Sequence, residues 1–400
     1  MVNIYLKKKE GRIIQGGGTW IFDNEIDKTD GTYQNGDIVS VYAYNNYFLG
    51  YGYINNNSKI RIRILTRDKD EKIDEEFFKR RLFRAYKYRK DIIEGNSYRL
   101  VYSDADGLPG IVIDKFEDVL VIEIDTLGMD IRKQTITKLL LEIYKEHNEN
   151  IRGIYERSDA KVRILEGLER TKGFLTSEFD TNVIIDEYGV KIKVDVKDGQ
   201  KTGYFLDQKA NHYAIRKICK NKKVLDCFTH TGGFALSAAK VAKEVIGVDV
   251  SDAAIAIAKQ NAILNNYKNT TFVVEDVFDY LPSLVEKKEE FDVVILDPPA
   301  FTKTSSSIKK AARGYREINY QAMKLIKDGG YLVTCSCSEY MNKDLFLKII
   351  SEAAKSAHKS IRIAETRTQD SDHPILIGNN VSEYLKCIII EVSQKYKNVY

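Results

Sequence analysis

From about residue 223 onward the apolar residues of this chain come in short continuous runs, each ending in an acid, a glycine or a cysteine. They are Val224-Leu225-Asp226, Val245-Ile246-Gly247-Val248-Asp249, Thr271-Phe272-Val273-Val274 before Glu275-Asp276, Val293-Val294-Ile295-Leu296 before Asp297, and Tyr331-Leu332-Val333-Thr334 before Cys335-Ser336-Cys337-Ser338. Runs of this length predict strands buried on both faces of a parallel sheet. The first 68 residues read differently. Trp20-Ile21-Phe22, Gly36 to Tyr42, Phe48 to Tyr53 and Ile60 to Leu65 alternate between apolar and polar positions and predict a small β-barrel over residues 1–68, closed by the charged stretch Asp68 to Lys72. Residues 75–188 predict a small α+β domain. It would hold a basic helix, strand pairs around Gly107-Leu108-Pro109-Gly110 and Asp118, a helix from about Asp130 to His147, and strands near Gly153 and Asn182. A third domain, 189–400, would open with a hairpin of Val190–Val196 and Gly203–Phe205, after which Asp207-Gln208 leads into a helix.

Open α/β sheets bind ligands at the carboxyl ends of their strands, so the residues just after these runs carry the chemistry. The first run passes through Cys227-Phe228-Thr229-His230-Thr231-Gly232-Gly233-Phe234 into an alanine-rich helix, and the second ends in Asp249. Strand, glycine turn, helix, strand and terminal acid form the grip on a nucleoside ribose. The absence of G-x-G-x-x-G disfavours a pyrophosphate cofactor. S-adenosylmethionine has no phosphates and needs only close backbone approach at Gly232 and Gly233 with an acidic hook at Asp249. An acid after the third strand, Asp276 beside Val277, suits the adenine amine. After the fourth, Asp297-Pro298-Pro299-Ala300-Phe301 joins a carboxylate to a stiff loop with two backbone donors removed, a pocket for a flat base. These four strand ends together predict a nucleobase methyltransferase with a doubly wound, Rossmann-like sheet.

Gly199-Gln200-Lys201-Thr202-Gly203-Tyr204 before Phe205-Leu206-Asp207-Gln208, the Thr-Gly-Gly-Phe turn, the Asp-Pro-Pro-x-Phe loop, Arg313-Gly314-Tyr315, Ser336-Cys337-Ser338 and Asp372-His373-Pro374 resemble the ribosomal RNA large subunit methyltransferase I family. The resemblance spans essentially the whole chain and is strongest from Gly199 on. It implies a class I adenosylmethionine-dependent methyltransferase domain, an N-terminal PUA-like RNA-binding domain, and 5-methylcytosine formation in large-subunit ribosomal RNA. Gly17-Gly18-Thr19-Trp20-Ile21-Phe22 departs from that family's Gly-His-Pro-Trp-Val-Phe. The terminal strand Tyr384 to Ile390 would be the antiparallel partner typical of the methyltransferase fold.

Cytosine C5 is a poor nucleophile, and a thiolate added to C6 makes it enamine-like, while a carboxyl at N3 and N4 stabilises the developing charge. By the resemblance Cys337 is the nucleophile and Asp297 the base-holding carboxyl. Many RNA cytosine-5 methyltransferases carry a second cysteine beside the Asp-Pro loop, where this chain has Ala300, so release falls to another base or to Cys335. Cys335 itself reads as a small core residue. The expected cofactor residues are Gln208, Asp226, Phe228, Thr229, Thr231, Gly232, Gly233, Phe234, Asp249, Val250, Ser251, Asp276, Val277 and Asp297. Pro298, Pro299 and Phe301 would meet the base. The serines 305–307 ahead of Lys309, Lys310 and Arg313 would form a lid on phosphates. Three rivals stand beside this reading. An exocyclic-amine methyltransferase would use the Asp-Pro-Pro loop without a thiol, a non-catalytic assembly factor would only bind RNA, and a third rival would modify a small metabolite.

Five cysteines without paired spacing argue against a disulfide framework, and no metal is implied. No apolar run approaches the roughly 20 residues that span a bilayer, and the N-terminus lacks a targeting pattern, so a cytoplasmic enzyme is expected. Net charge is only +4, but it is unevenly spread. Residues 1–100 hold 19 Lys/Arg against 14 Asp/Glu, residues 101–200 hold 14 against 21, and residues 201–400 hold 29 against 23. Basic ends around an acidic middle suit a polyanionic partner, ribosomal RNA or a partly assembled subunit, with homodimerisation left open. The helix from Phe77 to Lys90 interleaves basic and aromatic residues, which fits either RNA contact or a solvated face over a buried aromatic stripe.

Overall fold

The computed structural model describes residues 1–302, 304–377 and 382–394. Its chain divides into two units, the first made of Met1–Ile185, Val194–Leu206 and Ser371–Ser382. There β1 (Val2–Leu6), β2 (Trp20–Phe22), β3 (Ile26–Asp30), β4 (Ile38–Tyr42), β5 (Phe48–Ile54) and β6 (Ile60–Thr66) join in the order β2-β6-β5-β4-β1-β3. Alternation puts Ile4, Leu6, Ile21, Val39, Val41, Leu49, Ile62 and Ile64 into one core. A Cβ on Gly50 would lie 2.5 Å from the Thr66 carbonyl, and one on Gly52 2.3 Å from that of Arg63, so only glycine lets β5 run this close to β6.

A second sheet in this unit has the order β11-β10-β9-β8-β7, from β7 (Tyr98–Tyr102), β8 (Ile111–Phe116), β9 (Val119–Ile124), β10 (Gly153–Ser158) and β11 (Thr171–Phe174). The helices Glu75–Ile92 and Lys133–Glu146 share its core. Asp74 starts the first of these by accepting from the Phe77 amide at 3.0 Å. Its aromatic stripe, Phe77, Phe78 and Tyr86, is core, while Lys79, Arg80, Arg81 and Lys90 pair with Glu146, Glu71 and Glu149. The buried stripe is what the solvated-face reading expects, while Phe83, Arg84, Lys87 and Tyr88 of the same helix remain exposed.

Past the second sheet comes a hairpin, β12 (Asn182–Asp186) with β13 (Lys191–Asp195). The expected pairing of Val190–Val196 with Gly203–Phe205 is therefore corrected, since the partner lies upstream. Tyr188 and Gly189 both have positive φ, 50° and 76°, the backbone of a two-residue type I′ turn, and Glu187 and Val190 exchange both backbone bonds across it. Gly203 makes only an isolated bridge with Gln200.

The second unit, Asp186–Lys193, Asp207–Asp370 and Glu383–Tyr400, is built on a seven-stranded sheet. Its strands are β14 (Lys223–Cys227), β15 (Glu244–Asp249), β16 (Thr270–Val274), β17 (Phe291–Leu296), β18 (Ile326–Ser336), β19 (Lys359–Arg367) and β20 (Lys386–Gln394), in the order β16-β15-β14-β17-β18-β20-β19. All neighbours are parallel except β20, which runs antiparallel to β18 and β19. The order reverses between β14 and β17, the switch point where such sheets open a crevice. Among the described residues no helix is long and apolar enough to cross a membrane.

Arg89, in the first unit, is with Arg163 one of the two largest fully buried side chains among the described residues. It grips the Asp106 carboxylate through both terminal nitrogens at 2.5 and 2.8 Å and donates to the carbonyls of Arg99 and Asp372 at 2.8 Å each. Arg89→Leu strands Asp106 and two carbonyls in the interior, so this unit should lose about 3–5 kcal/mol. The single tryptophan, Trp20, belongs to the same unit, and its fluorescence during urea unfolding reads the loss. An unshifted midpoint would refute the role given to this cluster.

Candidate active site

The site is assembled in the second unit from loops that leave the carboxyl ends of its parallel strands. After β14 the chain must turn at once into the helix Gly233–Ala239, and three of five residues take left-handed backbone to do it: Phe228 (φ 63°), His230 (50°) and Gly232 (94°). For Phe228 and His230 this conformation costs on the order of 1–3 kcal/mol each. Hydrogen bonds hold it. Thr229 N donates to the Val248 carbonyl at 2.9 Å, Gly232 N to the Thr229 carbonyl at 2.8 Å, and the Asn261 amide to the Thr231 carbonyl at 3.1 Å.

Asp249, at the tip of β15, accepts from His230 N and Ser251 N, one on each oxygen, both at 2.9 Å. Its carboxylate is thus fixed in orientation and only half-buried, with lone pairs left for hydroxyl donors. A Cβ on Gly247 would come within 2.7 Å of the Phe272 ring and 3.1 Å of Thr229 Oγ1. The glycine keeps the floor beneath this loop open. The loop, the acid and the glycine fit a nucleoside with no phosphate to hold.

The remaining expected cofactor residues divide into exposed, capping and buried groups. Ser251 caps the helix Asp252–Leu264 and Asp276 caps Val277–Glu286, each accepting from an amide of its own first turn. Val250 is 69% exposed, whereas Val277 and Phe234 are core residues, Phe234 with its ring edge-on to His212 at 4.4 Å. Gln208 is buried and accepts from Asn211 at 2.7 Å. Asp226 is fully buried and takes the Thr229 hydroxyl at 2.6 Å. Burial pushes its pKa up to about 7; the Thr229 hydroxyl opposes the rise, and the charge of Asp297 adds to it. Nearby, burial would lower the His212 pKa, but Glu187 at 2.7 Å, with Asp297 and Asp226 behind it, raises it.

Asp297 follows β17 directly, its amide 3.4 Å from the Cys227 carbonyl across the switch point. Pro298 is buried, Pro299 exposed and Asp297 half-buried. Phe301 is turned inward, its ring 4.7 Å from Tyr315, 5.9 Å from Phe278 and 6.4 Å from Phe228. Thr302 is buried, and Ser305–Ser307 form one 3-10 turn ahead of the helix Ile308–Leu325, so the serines begin a helix. Lys309, Lys310 and Arg313 face solvent from its first two turns.

β18 ends at Ser336, and Cys337 just beyond is the half-buried one of the five cysteines; the other four are buried. Cys335 is directly opposite Cys387, and burial, with Cys387 beside it, drives its thiol well above the usual range. The serines flanking Cys337 are held by Tyr315, whose hydroxyl lies 3.0 Å from Ser336 Oγ and 3.2 Å from Ser338 Oγ. Burial raises the Tyr315 pKa, the serine bonds oppose this, and the charges of Cys337 and Asp297 raise it further. The three groups therefore lie within electrostatic reach of one another. Sequence reasoning did not assign the roles of Tyr315, Asn261 and Gly247. Arg313-Gly314-Tyr315 was visible as a motif, but an asparagine inside a helix and a glycine inside a strand carry no signal of what they touch.

A PUA-like domain model matches residues 4–67 and a methyltransferase domain model matches residues 218–384. Among solved structures, a candidate SAM-dependent methyltransferase from Streptococcus mutans superposes with a TM-score of 0.81 at 21% identity, covering 98% of this chain and 100% of that one. A candidate methyltransferase complexed with SAH superposes at 0.83 with the same identity and coverage. These likenesses show the fold. Ribosomal RNA large subunit methyltransferase I of Aeromonas salmonicida (strain A449) is 41% identical over 396 residues, 97% of this chain and 99% of that protein. Its namesake in Escherichia coli (strain SMS-3-5) is 38% identical over 392 residues, 96% and 98%. With this identity sustained from end to end, the chain belongs to the ribosomal RNA large subunit methyltransferase I family.

Proposed function

We propose that this protein transfers a methyl group from S-adenosylmethionine to C5 of a cytosine in large-subunit ribosomal RNA, with Cys337 as nucleophile and Asp297 as the carboxyl that holds the base. One observation carries the reading: of five thiols, the accessible one stands at a strand's carboxyl end, braced by Tyr315 through Ser336 and Ser338, within electrostatic reach of Asp297. The names of the relatives support ribosomal RNA as the substrate.

Bound S-adenosylmethionine supplies a methyl group on a positively charged sulfur. Asp249, oriented by two backbone amides, would accept from the ribose hydroxyls of the bound cofactor, and Gly232 and Gly233 would allow close approach of its nucleoside. The thiolate of Cys337 adds to cytosine C6. A sulfur–carbon bond forms, and the electron pair of the C5–C6 double bond becomes available at C5 to take the methyl group, whose bond to the sulfonium sulfur would break to leave S-adenosylhomocysteine; the charge that spreads toward N3 is stabilised by a hydrogen bond from the protonated form of the Asp297 carboxyl. Loss of the C5 proton to a base then expels the sulfur and restores the ring. Cys335 is fully buried, so we assign that proton to a base other than its thiol.

Lys309, Lys310 and Arg313 stand in the first turns of a helix that has no acid there. Cations are unfavourable at a helix N-terminus, and RNA phosphates offset that repulsion. The rival amine chemistry needs an aromatic free to stack on the base. Phe301 instead packs against Tyr315, with Gly314 beneath its ring.

Asp249→Ala should weaken S-adenosylmethionine binding by about 1–3 kcal/mol, the effect of unpairing polar groups in a site. Calorimetric titration of the folded variant measures this, and unchanged affinity removes Asp249 from the cofactor site. Cys337→Ala should abolish turnover and leave cofactor affinity intact, because a nucleophile acts mainly in the transition state. On RNA carrying 5-fluorocytidine, the wild-type protein should form a denaturant-stable adduct, since fluorine blocks the final proton loss. Cys337→Ala should form none and Cys335→Ala should still form it. An adduct lost with Cys335 but kept without Cys337 would reassign the nucleophile, and no adduct in any variant would favour amine methylation.

A further inference from the structure

Lys386 opens β20 and is 8% exposed. It is paired across the strands with Ser336, and its ammonium donates to two backbone carbonyls, those of Ser338 and Tyr384, both at 2.7 Å. The Ser338 carbonyl belongs to the residue after Cys337, and the ammonium held there lies within electrostatic reach of the thiol. An ammonium has three N–H donors, and two carbonyls use two of them. Neutral carbonyls do not neutralise a buried cation, whose desolvation is costly without an anion nearby.

We propose that Lys386 is the positioning residue that holds Cys337 as a thiolate, its ammonium pinned at the Ser336-Cys337-Ser338 strand end so that the sulfur anion has a fixed counter-charge. This rests on the reading of Cys337 as nucleophile. The other charged and titratable groups facing this corner work against a thiolate. Asp297 from the β17 edge, Glu339 after β18 and Glu383 before β20 are carboxylates whose charge disfavours a second anion, and Tyr315 contributes a neutral hydroxyl. Lys386 offsets them. Burial brings its own pKa down to about 8, with the charge of Cys337 first among those opposing the fall. The counter-charge is therefore present below pH 8 and fades as pH rises through that value. The thiolate forms as pH rises through the Cys337 pKa. The interval between the two is the range in which the pair exists.

The test is the rate of iodoacetamide alkylation at Cys337, followed by peptide mass spectrometry between pH 5 and 10 on the full chain. The four buried cysteines report unfolding in the same sample. In the wild-type protein, Cys337 should titrate at least one pH unit below the ordinary thiol value of about 8.5. Lys386→Met should raise that midpoint by about one unit and slow alkylation at pH 7 about tenfold, and Lys386→Arg should keep it low. If the methionine variant exposes the buried cysteines, Lys386→Gln, which keeps donors for the carbonyls without the charge, carries the same expectation. Equal midpoints with and without the charge overturn the proposal, as does a wild-type midpoint at or above 8.5. A shifted midpoint with no 5-fluorocytidine adduct leaves the coupling standing and sinks the cytosine reading. An adduct formed with the same pH profile in both proteins sinks the role of Lys386 alone.

Discussion

Parallel pairing of β14 with a neighbour on each side is the constraint on which the second unit depends. Cys227 is opposite Val248 of β15 on one flank and Leu296 of β17 on the other, so all three strands end at one level. The next residues must part in different directions, because the chain order reverses there. Two consequences follow from that one register. Asp249 can reach back to the His230 amide, and Asp297 stands within hydrogen-bond range of the Cys227 carbonyl. The same convergence puts Asp226 and Asp297 close enough for each to feel the other's charge, and the buried partner titrates near neutrality.

On the far side of β17 the same sheet performs a second task with different chemistry. β18 is parallel to β17 but antiparallel to β20, so a strand beginning meets a strand end at Ser336 and Lys386. That junction brings Tyr315, two serines and a lysine around Cys337, although they come from three separate stretches of chain. The backbone strain of the β14 loop and the polar burial here are local departures from what a sequence alone favours, and both concentrate at the strand edge.

Much of the second unit was legible because strands buried inside a sheet must carry apolar runs, as in Val224-Leu225 of β14, Val293–Leu296 of β17 and Leu332-Val333 of β18; β16, expected to be buried on both faces, is instead an edge strand with only Phe272 buried. The acids and cysteines beyond these runs stood out by contrast. β19 was not legible: as an edge strand it alternates charge with few apolar residues, and Lys359 to Arg367 resembles a loop. The hairpin partner was misjudged because Tyr188-Gly189 is a weaker turn signal than Asn-Gly, and left-handed tyrosine is hard to foresee. Of the expected site residues, Asp249 and Asp297 stand at the strand ends as their positions suggested. Phe234 and Val277 are packed into the core, a distinction that depends on neighbours remote in sequence. Lys386 gave no sign of itself, since a lysine at the start of a strand is ordinarily a solvated one.

Arg89 and Arg99 both bind Asp372, through its carbonyl and its carboxylate respectively, and all three residues lie in the first unit. The segment 371–382 that completes this unit is inserted between β19 and β20, far downstream of the rest of the unit. Domains generally fold from the N-terminus as they leave the ribosome, but this one cannot finish in that order. Between synthesis of Asp106 and of Asp372, 266 residues later, the Arg89 guanidinium has Asp106 and one carbonyl but lacks its last acceptor. The nascent first unit must wait, incompletely sealed, until Asp372 has been synthesised.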